Sequence, residues 1–161
     1  MEDNSTLVIG AGELGIAVIR SLAAADPNSS ALTVLLRPSK NPNHQALLSE
    51  LKTLNVAVVY GDVAKDSTDV ISSLVRGYTT IISCIGFAAG PGTQIKLARA
   101  VLAAGVRRYI PWQFGVDYDV IGRGSPQNLF DEQLDVRALL REQTDTLWKI
   151  ISTGMFTSFF V

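Results

Sequence analysis

The chain has 161 residues, and at roughly 150 residues per domain it reads as one domain, residues 1–161. Apolar residues make up 47% and charged residues 18%, which supplies a packed core and excludes disorder. With 14 basic and 15 acidic residues the net charge is −1, without the basic excess of a nucleic-acid binder. The single cysteine forms no internal disulfide or cysteine metal cluster. No leader is legible in the polar start, and no apolar run reaches the ~18 residues of a membrane span. A cytoplasmic chain without membrane contact is expected.

Taken in order, Thr6–Ile9 is a short apolar strand closed by Gly10. Residues 13–25 carry Leu14, Ala17, Val18 and Leu22 at helical spacing and stop at Asp26-Pro27. Leu32–Leu36 is a second strand, ended by Arg37-Pro38. Residues 44–54 are expected to be helical, 56–59 a third strand, 67–75 a short helix and 79–84 a fourth strand. An alanine-rich helix follows over 94–104, then a fifth strand over 107–110. Ser125 is expected to cap a longer helix with Pro126 at its first position. Residues 146–151 make a sixth strand.

Strand and helix alternate six times with no hairpin signal. Continuous runs of Val, Ile and Leu mark strands buried on both faces, hence a parallel sheet covered by helices on each side. Right-handed crossovers then give a doubly wound α/β sheet of the Rossmann type, with strand order 3-2-1-4-5-6. Ligands of such sheets bind beyond the carboxyl ends of the strands. Residues 111–124, too long for a plain turn and following strand five, are therefore a candidate site loop.

Gly10-Ala11-Gly12-Glu13-Leu14-Gly15 is a G-x-G-x-x-G between the first strand and first helix. The spacing allows a tight turn at Gly10, backbone approach to a pyrophosphate at Gly12 and helix–strand packing at Gly15. Helix N-terminal amides would face the phosphates. The second strand ends in Leu36-Arg37-Pro38-Ser39-Lys40, with no acid for a ribose hydroxyl. Arg37, with Lys40, suits a 2′-phosphate, so NADP(H) is the expected cofactor. Gly86, after Ser83-Cys84-Ile85, would let the backbone approach the ribose. Cys84 reads as a small buried hydrophobe and His44 as a solvated surface residue. With one histidine and one cysteine, zinc catalysis and a His-based triad are not expected, and no metal site is read. Asp62, Asp66 and Asp69 read as structural acids near a helix N-terminus.

The combination resembles the isoflavone reductase-like and NmrA-like branch of the atypical short-chain dehydrogenases, in its filamentous-fungal form. The resemblance runs through Gly10 to Gly15, Leu36-Arg37-Pro38, Gly61-Asp62-Val63, Ser83-Cys84-Ile85-Gly86, Gln94, Ala103-Ala104-Gly105-Val106 and Pro111-Trp112-Gln113-Phe114-Gly115. It continues through Gln133-Val136-Arg137 to Gly154-Met155-Phe156. It implies cofactor binding by Ala11 to Leu14, Arg37, Lys40, Cys84 and Gly86. It further implies that Gln94, Gln113, Phe114, Gly154, Met155 and Phe156 sit on the nicotinamide side.

Three positions depart from the plant reductases of that family. Ile9 stands at their first glycine, Trp112-Gln113 replaces Ser-Glu, and Gln133 falls on the lysine they use as acid and base. An amide does not titrate, so Gln133 orients an oxygen or merely spaces an exposed helix, while water, Tyr118 or Ser125 supplies the proton. The resemblance implies members about twice one domain long, so the expectation is a chain without their substrate lobe, as a fragment, a truncated product or half of an assembly. The apolar segment 155–161 then calls for a further lobe, a second copy or a partner chain to cover it. Three readings result. The first is an NADPH-dependent oxidoreductase of a small aromatic or secondary-metabolite substrate. The second is an NADP-sensing regulatory module without catalysis, and the third a cofactor-dependent isomerase or cyclase.

Overall fold

The computed structural model describes residues 4–26, 31–154, 156 and 158. Six parallel strands form one sheet in the order β3-β2-β1-β4-β5-β6, as the alternating pattern requires. They are β1 (Thr6–Ile9), β2 (Leu32–Leu36), β3 (Ala57–Tyr60), β4 (Thr80–Ser83), β5 (Arg108–Ile110) and β6 (Leu147–Trp148). The helices are α1 (Glu13–Ala25), α2 (Pro42–Thr53), α3 (Thr68–Val75), α4 (Thr93–Ala103), α5 (Tyr118–Ile121) and α6 (Asn128–Arg141). None of the described helices is long and apolar enough to cross a membrane.

The two faces of the sheet carry separate cores, and strand parity sorts residues between them. Val8, Val34, Leu36 and Ile82 pack with Ile19 of α1 and Leu51 of α2. Leu7, Ile9, Leu35, Ile81 and Tyr109 pack with Ile71 of α3, Leu97 and Val101 of α4, and Val136 and Leu140 of α6. The central strands are buried almost throughout, whereas β3 and β6, at the edges, are partly exposed.

Three boundaries differ from expectation. Helix α2 starts at Pro42, because Asn41 caps it through a 2.9 Å bond from the Asn43 amide, two residues ahead of the apolar periodicity. Ser125 does not cap α6. Its hydroxyl is engaged with Gln127 in a local turn at 3.3 Å, leaving Pro126 outside the helix. Strand β6 is two residues long, Leu147 beside Arg108 and Trp148 beside Tyr109. Beyond it the chain runs on beside the segment after β5, and the amides of Thr153 and Gly154 donate to the Phe114 carbonyl at 2.7 and 3.1 Å. Met155 and residues 157 and 159–161 lie outside the described residues, and with them the expectation about a covered apolar end.

The junction of β1 and α1 sets the geometry of the cleft. A methyl group on Gly15 would stand 2.1 Å from the Gly10 carbonyl oxygen and 3.3 Å from the Cys84 Cβ. Alanine in a helix gains about 1 kcal/mol over glycine by propensity. Overpacking against backbone costs roughly 1–3 kcal/mol or more, and here backbone atoms leave no side-chain escape. Gly15→Ala is therefore expected to be less stable by urea unfolding, despite the better helix former. A variant as stable as the parent would show that α1 can lift away from β1.

Candidate functional site

Gly10 leaves β1 at φ +91°, a left-handed conformation that only glycine adopts without strain. Gly12 occupies the N-cap position of α1 with no capping side chain, and no atom lies within 4 Å of where its Cβ would be. The first helical bond runs from the Ile16 amide to the Gly12 carbonyl at 2.9 Å. The amides ahead of it have no helical acceptor, and the space beside Gly12 is unfilled. An anionic group fits there.

Three cavities border this turn; one, of about 500 Å³, is open and runs from Ala11 to His44 of α2, and the other two lie along the sheet edge. The first of these two, of about 260 Å³, is bordered by Gly10, Ala11, Leu36, Arg37, Gly61, Asp62, Val63, Ala64 and Ala88. Arg37 is exposed and, among the described residues, has no ion-pair partner. Lys40, expected beside it, is exposed but does not border this cavity. Asp62 does, which the sequence reading did not assign. Its carboxylate accepts from the Ala64 amide at 3.1 Å while its own amide donates to Asp66 at 2.8 Å, so the acids shape the rim. His44 lies on α2 against the Tyr60 ring, 6.3 Å between centroids, and borders the open cavity rather than either sheet-edge one.

The other cavity, about 600 Å³ and largely apolar, has Glu13 and Leu14 on one side and Phe87, Trp112, Phe114, Tyr118 and Phe130 opposite. Phe87 meets Trp112 edge-on with centroids 4.6 Å apart, and Tyr118 meets Phe130 likewise at 5.3 Å. Gly154 and Phe156 border it as expected. Gly86 does something different from the expected approach to a ribose: a Cβ there would come within 2.9 Å of the Trp112 indole, so it makes room for that ring.

Three glutamines expected at the cofactor or catalytic position are instead buried behind these walls, and Cys84 is the small buried residue its apolar reading expected. Cys84 is 8% exposed and backs the Gly10–Gly15 turn, and burial pushes its thiol up to about 12. Gln94 donates to the Ile85 carbonyl at 2.7 Å, holding the loop after β4 from behind. Gln113 donates to the Gln133 carbonyl at 2.8 Å and accepts from the Arg137 guanidinium at 2.6 Å, bracketing the 111–124 loop to α6. Gln133 is fully buried, borders neither cavity, and neither polar atom of its side chain has a hydrogen-bond partner among the described residues. An exposed spacer is therefore ruled out, and so is a reach into either cavity in this conformation.

The residues that hold the site in place escaped the sequence reading. The Glu132 carboxylate accepts from the amides of Gly92, Gln94 and Ile95 at 2.9, 2.7 and 3.1 Å, capping α4 from the neighbouring helix. Arg137, 5% exposed, also binds Asp117 and Asp119 at 2.9 and 2.6 Å and lies 5.5 Å from the Tyr118 ring centroid. Arg141 joins Asp119 at 2.6 Å. Hydrogen bonds from Arg141, then Arg137, hold the Asp119 carboxyl well below the usual carboxylate range, and a hydrogen bond from Arg137 lowers that of Asp117. Depressed carboxyls stabilise the fold above the ordinary range near 4, and that contribution fades as pH falls between about 5 and 1.

Arg137→Met is expected to cost about 1–3 kcal/mol at neutral pH, chiefly by orphaning the Gln113 amide oxygen. The exposed carboxylates add a smaller part, and that part depends on pH. In urea unfolding, the gap to the parent should narrow as the solution is acidified. A gap that is constant with pH would separate Arg137 from the two aspartates.

The sequence profile of the NmrA-like family matches residues 2–161. An NmrA-like family domain-containing oxidoreductase of Gibberella moniliformis is 49% identical over 164 residues, covering 99% of this chain and 54% of that protein. Among solved structures, AtPrR2 with NADP+ and (+)-pinoresinol superposes with TM-score 0.79 at 23% identity, over 99% of this chain and 53% of that one. The leucoanthocyanidin reductase–NADPH complex of Vitis vinifera gives TM-score 0.77 at 23% identity, over 93% and 49%. The chain spans about half the length of the relatives it matches. The doubly wound fold is theirs, and the chain belongs to the NmrA-like family.

Proposed function

We propose that this chain is the dinucleotide-binding half of an NADP(H)-dependent oxidoreductase acting on a small aromatic molecule. The observation that carries the reading is the position of the β1–α1 turn: Gly10 and Ala11 border one cavity, Glu13 and Leu14 the other. A dinucleotide laid across the turn puts its pyrophosphate on the uncapped amides of α1, with the adenosine end beside Arg37 and Asp62. Arg37, free of ion pairs among the described residues, takes the 2′-phosphate. The other end enters the aromatic cavity. The bound cofactor supplies the hydride. The protein's part is to orient a planar ring between Phe87, Trp112 and Phe114 and to exclude water around it. AtPrR2 with NADP+ and pinoresinol, and the NADPH complex of leucoanthocyanidin reductase, support this reading by likeness.

The sealed position of Gln133 favours a second reading, a sensor that binds NADP(H) without turning over. Consumption of NADPH by the full-length protein with aromatic carbonyl compounds distinguishes the two: a sensor binds the nucleotide and leaves it unchanged.

Losing a charge-assisted bond to phosphate costs roughly 1.5–3 kcal/mol, about ten- to a hundredfold in affinity. Arg37→Ala should therefore weaken NADPH binding by that factor in calorimetric titration and leave NADH binding where it was. Equal affinity of the parent protein for the two nucleotides would overturn the assignment of Arg37.

A further inference from the structure

We propose that Tyr118 is the proton donor of the aromatic cavity, hydrogen-bonding the oxygen of a flat carbonyl- or quinone-bearing ligand and protonating it as it is reduced. The inference rests on the reductase reading above. Reduction of such a ligand adds a hydride to carbon and a proton to oxygen, and the residue at position 133 is an amide sealed away from the cavity. Water or another group bordering the cavity then meets the reacting oxygen. Thr153 borders the cavity, but its hydroxyl donates to the Phe114 carbonyl at 3.0 Å. Ser125 is engaged with Gln127 and borders neither cavity. Cys84 is buried behind the turn, and Glu13 stands in the first turn of α1 beside the amides assigned to the pyrophosphate.

Tyr118 differs from all of these. It borders the cavity while being only 1% exposed overall, and its hydroxyl has no hydrogen-bond partner among the described residues. That oxygen is not among the sealed, unpartnered polar atoms, unlike the amide of Gln133. The ring is clamped between Phe130 and the Arg137 guanidinium, so the hydroxyl is held rather than free to swing. Gly115 makes room for it, since a Cβ there would stand 3.3 Å from the tyrosine oxygen. Burial raises the phenol above its ordinary value, with Arg137 opposing, so it is protonated at neutral pH. In the step itself the C=O π bond breaks as hydride reaches carbon. The substrate oxygen takes the phenolic proton to form O–H, and the resulting phenolate recovers a proton from water. The hydride comes from a dihydronicotinamide, which is oxidised.

The test uses the full-length protein with tyrosine rings isotope-labelled for NMR, naphthol as binding probe and phenanthrenequinone as oxidant. Tyr118→Phe removes one oxygen that holds no other residue, so it should fold like the parent. Naphthol added to the NADP+-loaded protein should shift one tyrosine resonance, the one missing from Tyr118→Phe, and should bind roughly fivefold more weakly to that variant. Quinone turnover should fall about a hundredfold with NADPH affinity unchanged. Gly115→Ala, which crowds the hydroxyl without removing it, should lower turnover in the same direction. If Tyr118→Phe turns over and binds naphthol like the parent, Tyr118 is not the donor although the reductase reading stands. If the parent protein binds NADPH but consumes none, the reductase reading fails and this assignment fails with it.

Discussion

The contact between Gly15 and the Gly10 carbonyl governs the functional end of this molecule. With no Cβ at position 15, α1 starts directly against the end of β1, the strand flanked by β2 and β4. The uncapped amides of its first turn therefore emerge at the carboxyl edge of the sheet, where strand order reverses. The turn it closes is the wall between two cavities, with Gly10 and Ala11 on one side and Glu13 and Leu14 on the other.

On the other side of that wall, the aromatic cavity depends on a buried charge. Burying a guanidinium is costly unless every neighbour compensates. Arg137 meets this demand with Gln113, Asp117, Asp119 and the face of Tyr118, all from the connection after β5. The connection is long and contains only the single turn of α5, yet it is tied to α6 at Gln113, Asp117 and Asp119 and to the chain after β6 at Phe114. A loop held in so many places can present Phe114 and Tyr118 at fixed positions. The exposed Val116, Val120 and Ile121 lie on the same connection.

Much of this was legible because it is written locally. Six apolar runs, their glycine stops and G-x-G-x-x-G suffice for the sheet order and for the turn that carries the free amides. Of the four glycines given physical roles, Gly10 makes its left-handed turn and Gly15 packs against the Gly10 carbonyl, while Gly86 faces Trp112. What the sequence hid is non-local. Residues 133, 136, 137 and 140 share the buried face of α6, but two of the four are polar, so the periodicity breaks where the function concentrates. Glu132 caps a helix 38 positions away from it, and no local pattern announces such a cap. The glutamines were placed at the cofactor by family likeness, and each proves to be a buried residue whose amide faces protein. Ser125 followed the rule for a cap, but its hydroxyl found a nearer backbone partner.

The account stands or falls on where a dinucleotide lies. Amide chemical-shift mapping of the isotope-labelled chain during titration with NADPH tests this directly. The account predicts that the amides of Gly12, Glu13 and Leu14 move most, with Arg37 and Ala64 on one side and Phe114 and Gly115 on the other. A separate cavity of about 330 Å³, among Asn4, Thr6, Leu32, Thr80 and Arg108, lies at the opposite ends of the strands. Shifts confined to that end, with the β1–α1 turn unmoved, would contradict the account.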